Sequence, residues 1–375
     1  MMVFKNIFYY DDDFKKQLGD IKISNGKIEK LGKTEEDGAD CTGLTALPGF
    51  IDTHIHGAFG GDFCDCSVES VSKMSEYLAK SGVTSFCPTT MTLSKEILKS
   101  ALETGEEYRK NARGAEILGY NLEGPYISIK KKGAQNAEFV RAGSTEEFDE
   151  LNKASNNSVK IITIAPEAFE SEDFIKEVAK VCSVSVGHTT ADSSQTIKAF
   201  ENGADRATHL FNAMTPMTHR EPGVVGASFD CENVFCELIC DGHHINPSVL
   251  RTAFKILGKD RAVVVSDSMK AAGLKAGKYD LGGQDVFVNE DYDVARLSDG
   301  TIAASITNVF TEFKNLLSFG IDFETALRSC TINPARSIKC DDKKGSIALG
   351  KDADLVIVDD NLEIQKVIIG GDVNE

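Results

Sequence analysis

Eight short apolar runs alternate with amphipathic segments through the middle of this chain, and no other feature limits its fold as much. The runs are "ALPGFIDTHIH", "VTSFCPTT", "EILGYNLEGPY", "VKIITIAPE", "VCSVSVGHTTAD", "RATHLFNAM", "VFCELICDGHH" and "RAVVVSDSM". Between most of them lie segments such as "SVESVSKMSEYLAKSG", "SKEILKSALETGEEYRKNA", "SEDFIKEVAKV" and "PSVLRTAFKILG". Their apolar residues recur at helical spacing. Strands joined through helices pair in parallel, because a parallel crossover needs a long connection. Eight such units predict a closed (β/α)8 barrel of the TIM type, with an open doubly wound sheet as the competing arrangement.

The two ends of the chain read differently. Residues 1–47 hold short alternating strands such as "GDIKISNGKIEKLG", with a hairpin signal at Asn25-Gly26. The last thirty or so residues, "GSIALGKDADLVIVDDNLEIQKVIIGGDVNE", are again short strands broken by Gly and Asp. Neither end can bury a sheet alone. The expectation is that residues 1–47 and 345–375 pair into one small β-sandwich domain beside a catalytic barrel formed by residues 48–344. A hairpin-like insert, "YDLGGQDVFVNEDYDVARLSDGTIAAS", separates the last barrel strand from the terminal helices.

Composition excludes several function classes. The chain has 375 residues, 41% of them hydrophobic, which is an ordinary globular balance. Its formal net charge of −17 argues against nucleic-acid or membrane-surface binding, both of which need a basic field. An anionic small substrate then requires a local cationic pocket. The N-terminal stretch lacks the apolar run and cleavage site of a signal peptide, and no run is long enough to span a bilayer. The ten cysteines are scattered without a Cys-x-x-Cys, so reduced thiols and a cytoplasmic setting are expected. Cys64 and Cys66 form a Cys-x-Cys pair, read here as ordinary thiols.

The chemistry-bearing residues fall at the ends of the apolar runs. The first run ends at His54 and His56, the third at Glu123, the fifth at His188 and the sixth at His209. The seventh ends at Asp241, His243 and His244, and the eighth at Asp267. In a (β/α)8 barrel the C-terminal strand ends surround one mouth, where active sites sit. His-x-His on a strand directs both imidazoles to one face. A metal site follows, and ligands without thiolates suit zinc, iron, manganese or cobalt. Glu123 is the natural bridging group for a two-metal site. Asp267 either binds metal or serves as a base toward a metal-activated water, passing the proton to a leaving amine.

These motifs together resemble the amidohydrolase superfamily. The residues that carry the resemblance are "PGFIDTHIHG", "NLEGPYIS", "VGHTTAD", "ATHLFNAMTPMTHREPGVVG", "DGHHI", "VVSDSMKAAG" and the tail "NPARSIKCDDKKGSIALGKDADLVIVD". Within the superfamily, "HLFNAM" with "REPG" is similar to the branch that deacetylates amino-sugar phosphates. The resemblance implies hydrolysis of N-acetylglucosamine 6-phosphate to glucosamine 6-phosphate and acetate. It implies one divalent ion, zinc first, held by Glu123, His188 and His209, and Asp267 as general base and then acid. Since the His-x-His pair is present, it implies a second ion at His54 and His56. Branches that bridge two metals with a modified lysine have no counterpart here, so Glu123 takes that place. Asn212, Ala213 and His244 are implied to contact the sugar phosphate. Arg220 is implied to reach the phosphate of a neighbouring subunit, hence a homodimer. Where many relatives carry a carbonyl-polarising histidine, this chain has Gln135, whose amide can still donate. A cyclic-amide hydrolase that needs no phosphate clamp, and a non-catalytic scaffold, are the competing readings.

Overall fold

A computed structural model describes residues 1–168, 172–290 and 294–374. All eight apolar runs form strands, at Phe50–Ile55, Val83–Thr90, Tyr120–Glu123, Val159–Ile164, Ser183–Val186, Arg206–Ala207, Phe235–Leu238 and Ala262–Val264. They pair in parallel in that order. The ring closes where the last strand leaves the core. There the Asp267 amide donates to the His54 carbonyl at 2.9 Å, and the His56 amide to the Ser268 carbonyl at 2.9 Å. The expected closed barrel is therefore the observed one.

The helices follow their apolar spacing. Val68–Lys80 starts at a Ser67 cap and buries Val71, Met74, Leu78 and Ala79. Lys95–Arg109 starts at a Ser94 cap and buries Leu98, Ala101, Leu102 and Tyr108. Each lays one stripe on the outside of the barrel and leaves charge toward water. In the segment "SEDFIKEVAKV" the helix runs Glu172–Val178, and Ser171 lies outside the described residues.

The chain ends share one sheet. Thr45–Pro48 lies between Met2–Tyr10, in parallel, and Leu355–Val358, antiparallel with Val356 opposite Leu47. Lys16–Ser24 and Lys27–Leu31 form the hairpin marked by Asn25-Gly26, both at positive φ (49° and 74°) as a two-residue turn requires. The sheet encloses its own core of Phe4, Ile7, Ile21, Ile23, Leu355 and Ile357.

The insert is a four-stranded antiparallel sheet, Gly277–Leu281, Gln284–Val288, Val294–Leu297 and Ile302–Ser305, with residues 291–293 outside the description. Its last strand is stitched to the end of the barrel: the Ser305 amide donates to the Asp267 carbonyl at 2.9 Å. That stitch places the insert over the mouth. Among the described residues no helix is long and apolar enough to cross a membrane.

Candidate active site

Five barrel strands deliver six side chains to one point at the mouth. Nε2 of His188 lies 3.1 Å from Glu123 Oε1, and Nε2 of His209 lies 3.0 Å from the same oxygen. The two imidazole nitrogens are 3.0 Å apart. Nε2 of His54 is 3.3 Å from Glu123 Oε1 and 3.5 Å from Asp267 Oδ1. Nε2 of His56 is 3.2 Å from Glu123 Oε2 and 3.2 Å from Asp267 Oδ1. The donors thus fall into two groups, Glu123–His188–His209 and His54–His56–Asp267, each within 4.8 Å. All six residues are buried. One carboxylate, that of Glu123, touches both groups.

The outer nitrogens show what the inner ones are for. Nδ1 of His188 meets the Lys131 carbonyl at 2.8 Å, and Nδ1 of His56 meets the Thr89 carbonyl at 3.3 Å. A carbonyl only accepts, so each Nδ1 carries a proton and each Nε2 can turn a lone pair inward. Nδ1 of His54 meets Glu237 Oε2 at 3.0 Å, and its Nε2 is buried without a hydrogen-bond partner. Converging lone pairs and two carboxylates fit one or two divalent ions.

The electrostatics agree. Burial pushes the Glu123 carboxyl up, but the charges of His54 and His188 and the bonds from His188 and His209 outweigh it and hold the group well below the usual carboxylate range. Burial lowers His56, yet hydrogen bonds to Asp267 and Glu123 prevail and raise it to about 9. The acids hold positive charge on the imidazoles; the same field holds a cation. Backbone strain concentrates here too. His188, His209 and Asp267 have φ of 47°, 28° and 47°, a conformation that costs of order 1–3 kcal/mol per residue and persists where rigid surroundings impose it.

A cavity of about 270 Å³ opens over the cluster. Gln135, Asn212, Ala213 and His244 all line it, with Leu281 and Ile302 supplied by the insert. Nδ1 of His244 is 2.6 Å from Asp241 Oδ2, which fixes the ring with Nε2 available to the cavity. The Gln135 amide is engaged at both ends, its Nε2 with Glu123 Oε2 and its Oε1 accepting from the Thr92 amide at 2.6 Å. Arg220 is exposed on the loop after His209 and does not line the cavity of its own chain.

Residues 45–373 match the Amidohydrolase family. N-acetylglucosamine-6-phosphate deacetylase of Bacillus subtilis (strain 168) is 37% identical over 95% of this chain and 92% of its own length. N-acetylgalactosamine-6-phosphate deacetylase of Escherichia coli O157:H7 is 32% identical over 96% of this chain and 94% of its own. The solved N-acetylglucosamine-6-phosphate deacetylase of Thermotoga maritima superposes with a TM-score of 0.91 at 34% identity, covering 100% of this chain and 99% of that one. A mutant of the Mycobacterium smegmatis enzyme, solved in complex with N-acetyl-D-glucosamine-6-phosphate, gives 0.93 at 28% identity, covering 100% and 99%. This chain belongs to the amidohydrolase family, among its N-acetylglucosamine-6-phosphate deacetylases.

In this amidohydrolase the groups behind the candidate ligands matter as much as those residues themselves, and the sequence motifs do not mark them. Asp52 accepts from Ser266 Oγ at 2.5 Å and ties the first strand to the eighth, between His54 and Asp267. Arg206 and Glu237, both fully buried, pair at 3.0 Å beneath the cluster. Lys130 and Lys131 line the cavity and add local positive charge in an acidic protein. A signal existed: Glu237 is a lone acid inside the apolar run "VFCELIC", and Arg206 opens "RATHLF". A charge flanked by apolar residues in a buried strand needs a buried partner.

Proposed function

We propose that this chain hydrolyses the acetamide of N-acetylglucosamine 6-phosphate, giving glucosamine 6-phosphate and acetate. The observation that carries the reading is one carboxylate, Glu123, in contact with two metal-competent groups directly below a substrate-sized cavity. Kinship over nearly the whole chain with deacetylases of amino-sugar phosphates supports the substrate class.

In this reading Glu123, His188 and His209 hold one divalent ion, with zinc first among zinc, iron, manganese and cobalt. His54 and His56 would hold a second, with the Glu123 carboxylate in reach of both groups. Bound there, such ions would supply Lewis acidity toward the amide carbonyl and toward a water. The chain's own residues do the rest. Asp267, 3.2 Å from His56 Nε2, takes the proton from the attacking water and returns it to the departing nitrogen. Gln135 holds Glu123 in place, and as a lining residue of the cavity it offers its remaining amide N–H to the substrate carbonyl. Asn212, Ala213 and His244 orient the sugar phosphate. Arg220 serves the phosphate of a partner subunit in a homodimer, which suits a planar guanidinium and its exposed loop. Residues 48–344 act as the catalytic barrel, with 1–47 and 345–375 as its supporting domain. Free thiols throughout suit a cytoplasmic enzyme.

Acetate release measured on N-acetylglucosamine 6-phosphate, its 4-epimer N-acetylgalactosamine 6-phosphate and the unphosphorylated sugar tests this. The first should be turned over with the highest kcat/KM. Preference for the 4-epimer would move the assignment to the galactosamine branch, and equal turnover of the unphosphorylated sugar would remove the phosphate site.

A further inference from the structure

Among the described residues, Glu237 is the one acid in the barrel interior that touches both candidate ligand groups without belonging to either. It is fully buried on the seventh strand. Its Oε2 lies 3.0 Å from His54 Nδ1 and accepts the His209 backbone amide at 3.1 Å. Its Oε1 accepts from Arg206 Nη1 at 3.0 Å. Arg206 is itself anchored to Thr53 Oγ1 at 3.3 Å and to Ser337 Oγ.

We propose that Glu237, paired with Arg206 at 3.0 Å, is a positioning residue that sets the tautomer of His54 and the backbone of His209 through a single oxygen. An acceptor at Nδ1 keeps the proton there and leaves the Nε2 lone pair facing Glu123 and Asp267, which a ligand requires. The same oxygen ties down His209, whose φ of 28° leaves its position dependent on outside support. Glutamine cannot reproduce this arrangement. If its oxygen faces His54, its NH2 meets the Arg206 donors. If it turns over, the NH2 faces Nδ1 and drives the His54 proton to Nε2, where it blocks the metal.

This inference rests on the reading of the site as a metal centre, and the test separates the two. The full-length protein is stripped with a chelator and reloaded with zinc. Zinc per chain is measured by elemental analysis and affinity by competition with a chromophoric chelator. Glu237→Gln should weaken retention of the ion bound by His54 about 10–100-fold, the range for second-layer partners of a ligating histidine. In zinc-loaded protein labelled with 15N-histidine, the His54 Nδ1–H signal should shift or vanish. In a His54→Ala background the same substitution should cause no further loss. Because Glu237→Gln leaves Arg206 unpaired, Glu237→Leu with Arg206→Met is made alongside. Replacing a buried ion pair by apolar residues often preserves stability, and this variant should show the same loss with an unchanged circular dichroism spectrum. Wild-type affinity in either folded variant, or an equal further loss in the His54→Ala background, would overturn the role of Glu237. Wild-type protein that takes up no zinc would instead overturn the metal centre itself.

Discussion

Two clusters of acids in this molecule look alike as lists of residues and are opposite in kind. Glu116, Asp352 and Asp354 approach one another within 4.8 Å, as the candidate ligands at the barrel mouth do. In their midst stands Lys344, whose Nζ is 2.5 Å from Glu116, 3.0 Å from Asp352 and 2.7 Å from Asp354. The chain supplies that cluster's cation itself. The result is a staple between the barrel sheet, which holds Glu116, and the terminal sheet, whose strand Leu355–Val358 begins just after Asp354. At the mouth, the ion-pair partners of Glu123 and Asp267 among the described residues are imidazoles. An imidazole can exchange its proton for a metal ion far more readily than an ammonium, whose ordinary pKa is several units higher. An acid cluster is therefore to be read by which positive charge the fold already provides.

Substitutions should pull the two clusters apart. The largest effect is expected at Asp267→Asn, which should lower kcat by about 10²–10⁴-fold, the usual contribution of a positioned acid–base group. Steady-state acetate release measures it, and a loss below tenfold would deny Asp267 that role. Lys344→Met should leave kcat of the folded enzyme unchanged. It should cost about 3–5 kcal/mol of stability, as when one partner of a buried ion pair is removed; urea unfolding reads this directly. If Lys344→Met instead bound zinc beyond the wild-type stoichiometry, the acids of the staple would be a latent metal site that Lys344 occupies. Arg220→Ala should be milder, raising KM for the phosphorylated sugar by roughly ten- to a hundredfold, the worth of a hydrogen bond to a charged group. The unphosphorylated sugar should be unaffected.

The smallest expected effect concerns pH. Burial pushes the Asp352 carboxyl up, but hydrogen bonding to Lys27 and the charge of Lys344 outweigh it and hold it below the ordinary value. An acid depressed on folding adds stability above its unfolded pKa, near 4, and loses it as pH falls through the folded value. Asp354 works in the opposite sense, because there burial outweighs Lys344 and raises the carboxyl. With Asp352 partly screened by solvent, the net change should stay within about 1 kcal/mol. The stability gap between wild type and Lys344→Met should narrow as pH drops from 7 to below 4 in a denaturation series. A gap that widened would mean the acids repel one another less than supposed.

Much of the site was legible because strand ends are legible. His54, His56, Glu123, His188, His209 and Asp267 each close an apolar run, and barrel geometry alone brings such ends together. Glu237 and Asp52 were not, since nothing in a linear pattern says which nitrogen of His54 faces inward or which hydroxyl holds Asp52. The insert read as strands, but not as the wall over the mouth. That role comes from the Ser305–Asp267 backbone bond, a contact across 38 positions.

The sequence by itself determined the alternation of strands and helices, and hence the barrel, because period and chain direction are local properties. It also determined that His54, His56, Glu123, His188, His209 and Asp267 stand at the ends of the apolar runs. The tertiary structure alone decided that Glu123 lies between two ligand groups, that Lys344 neutralises the other acid cluster and that Arg220 lies outside its own cavity. These are matters of a few ångströms between distant residues, set by packing and by the pairing of buried charge, and no spacing along the chain encodes them.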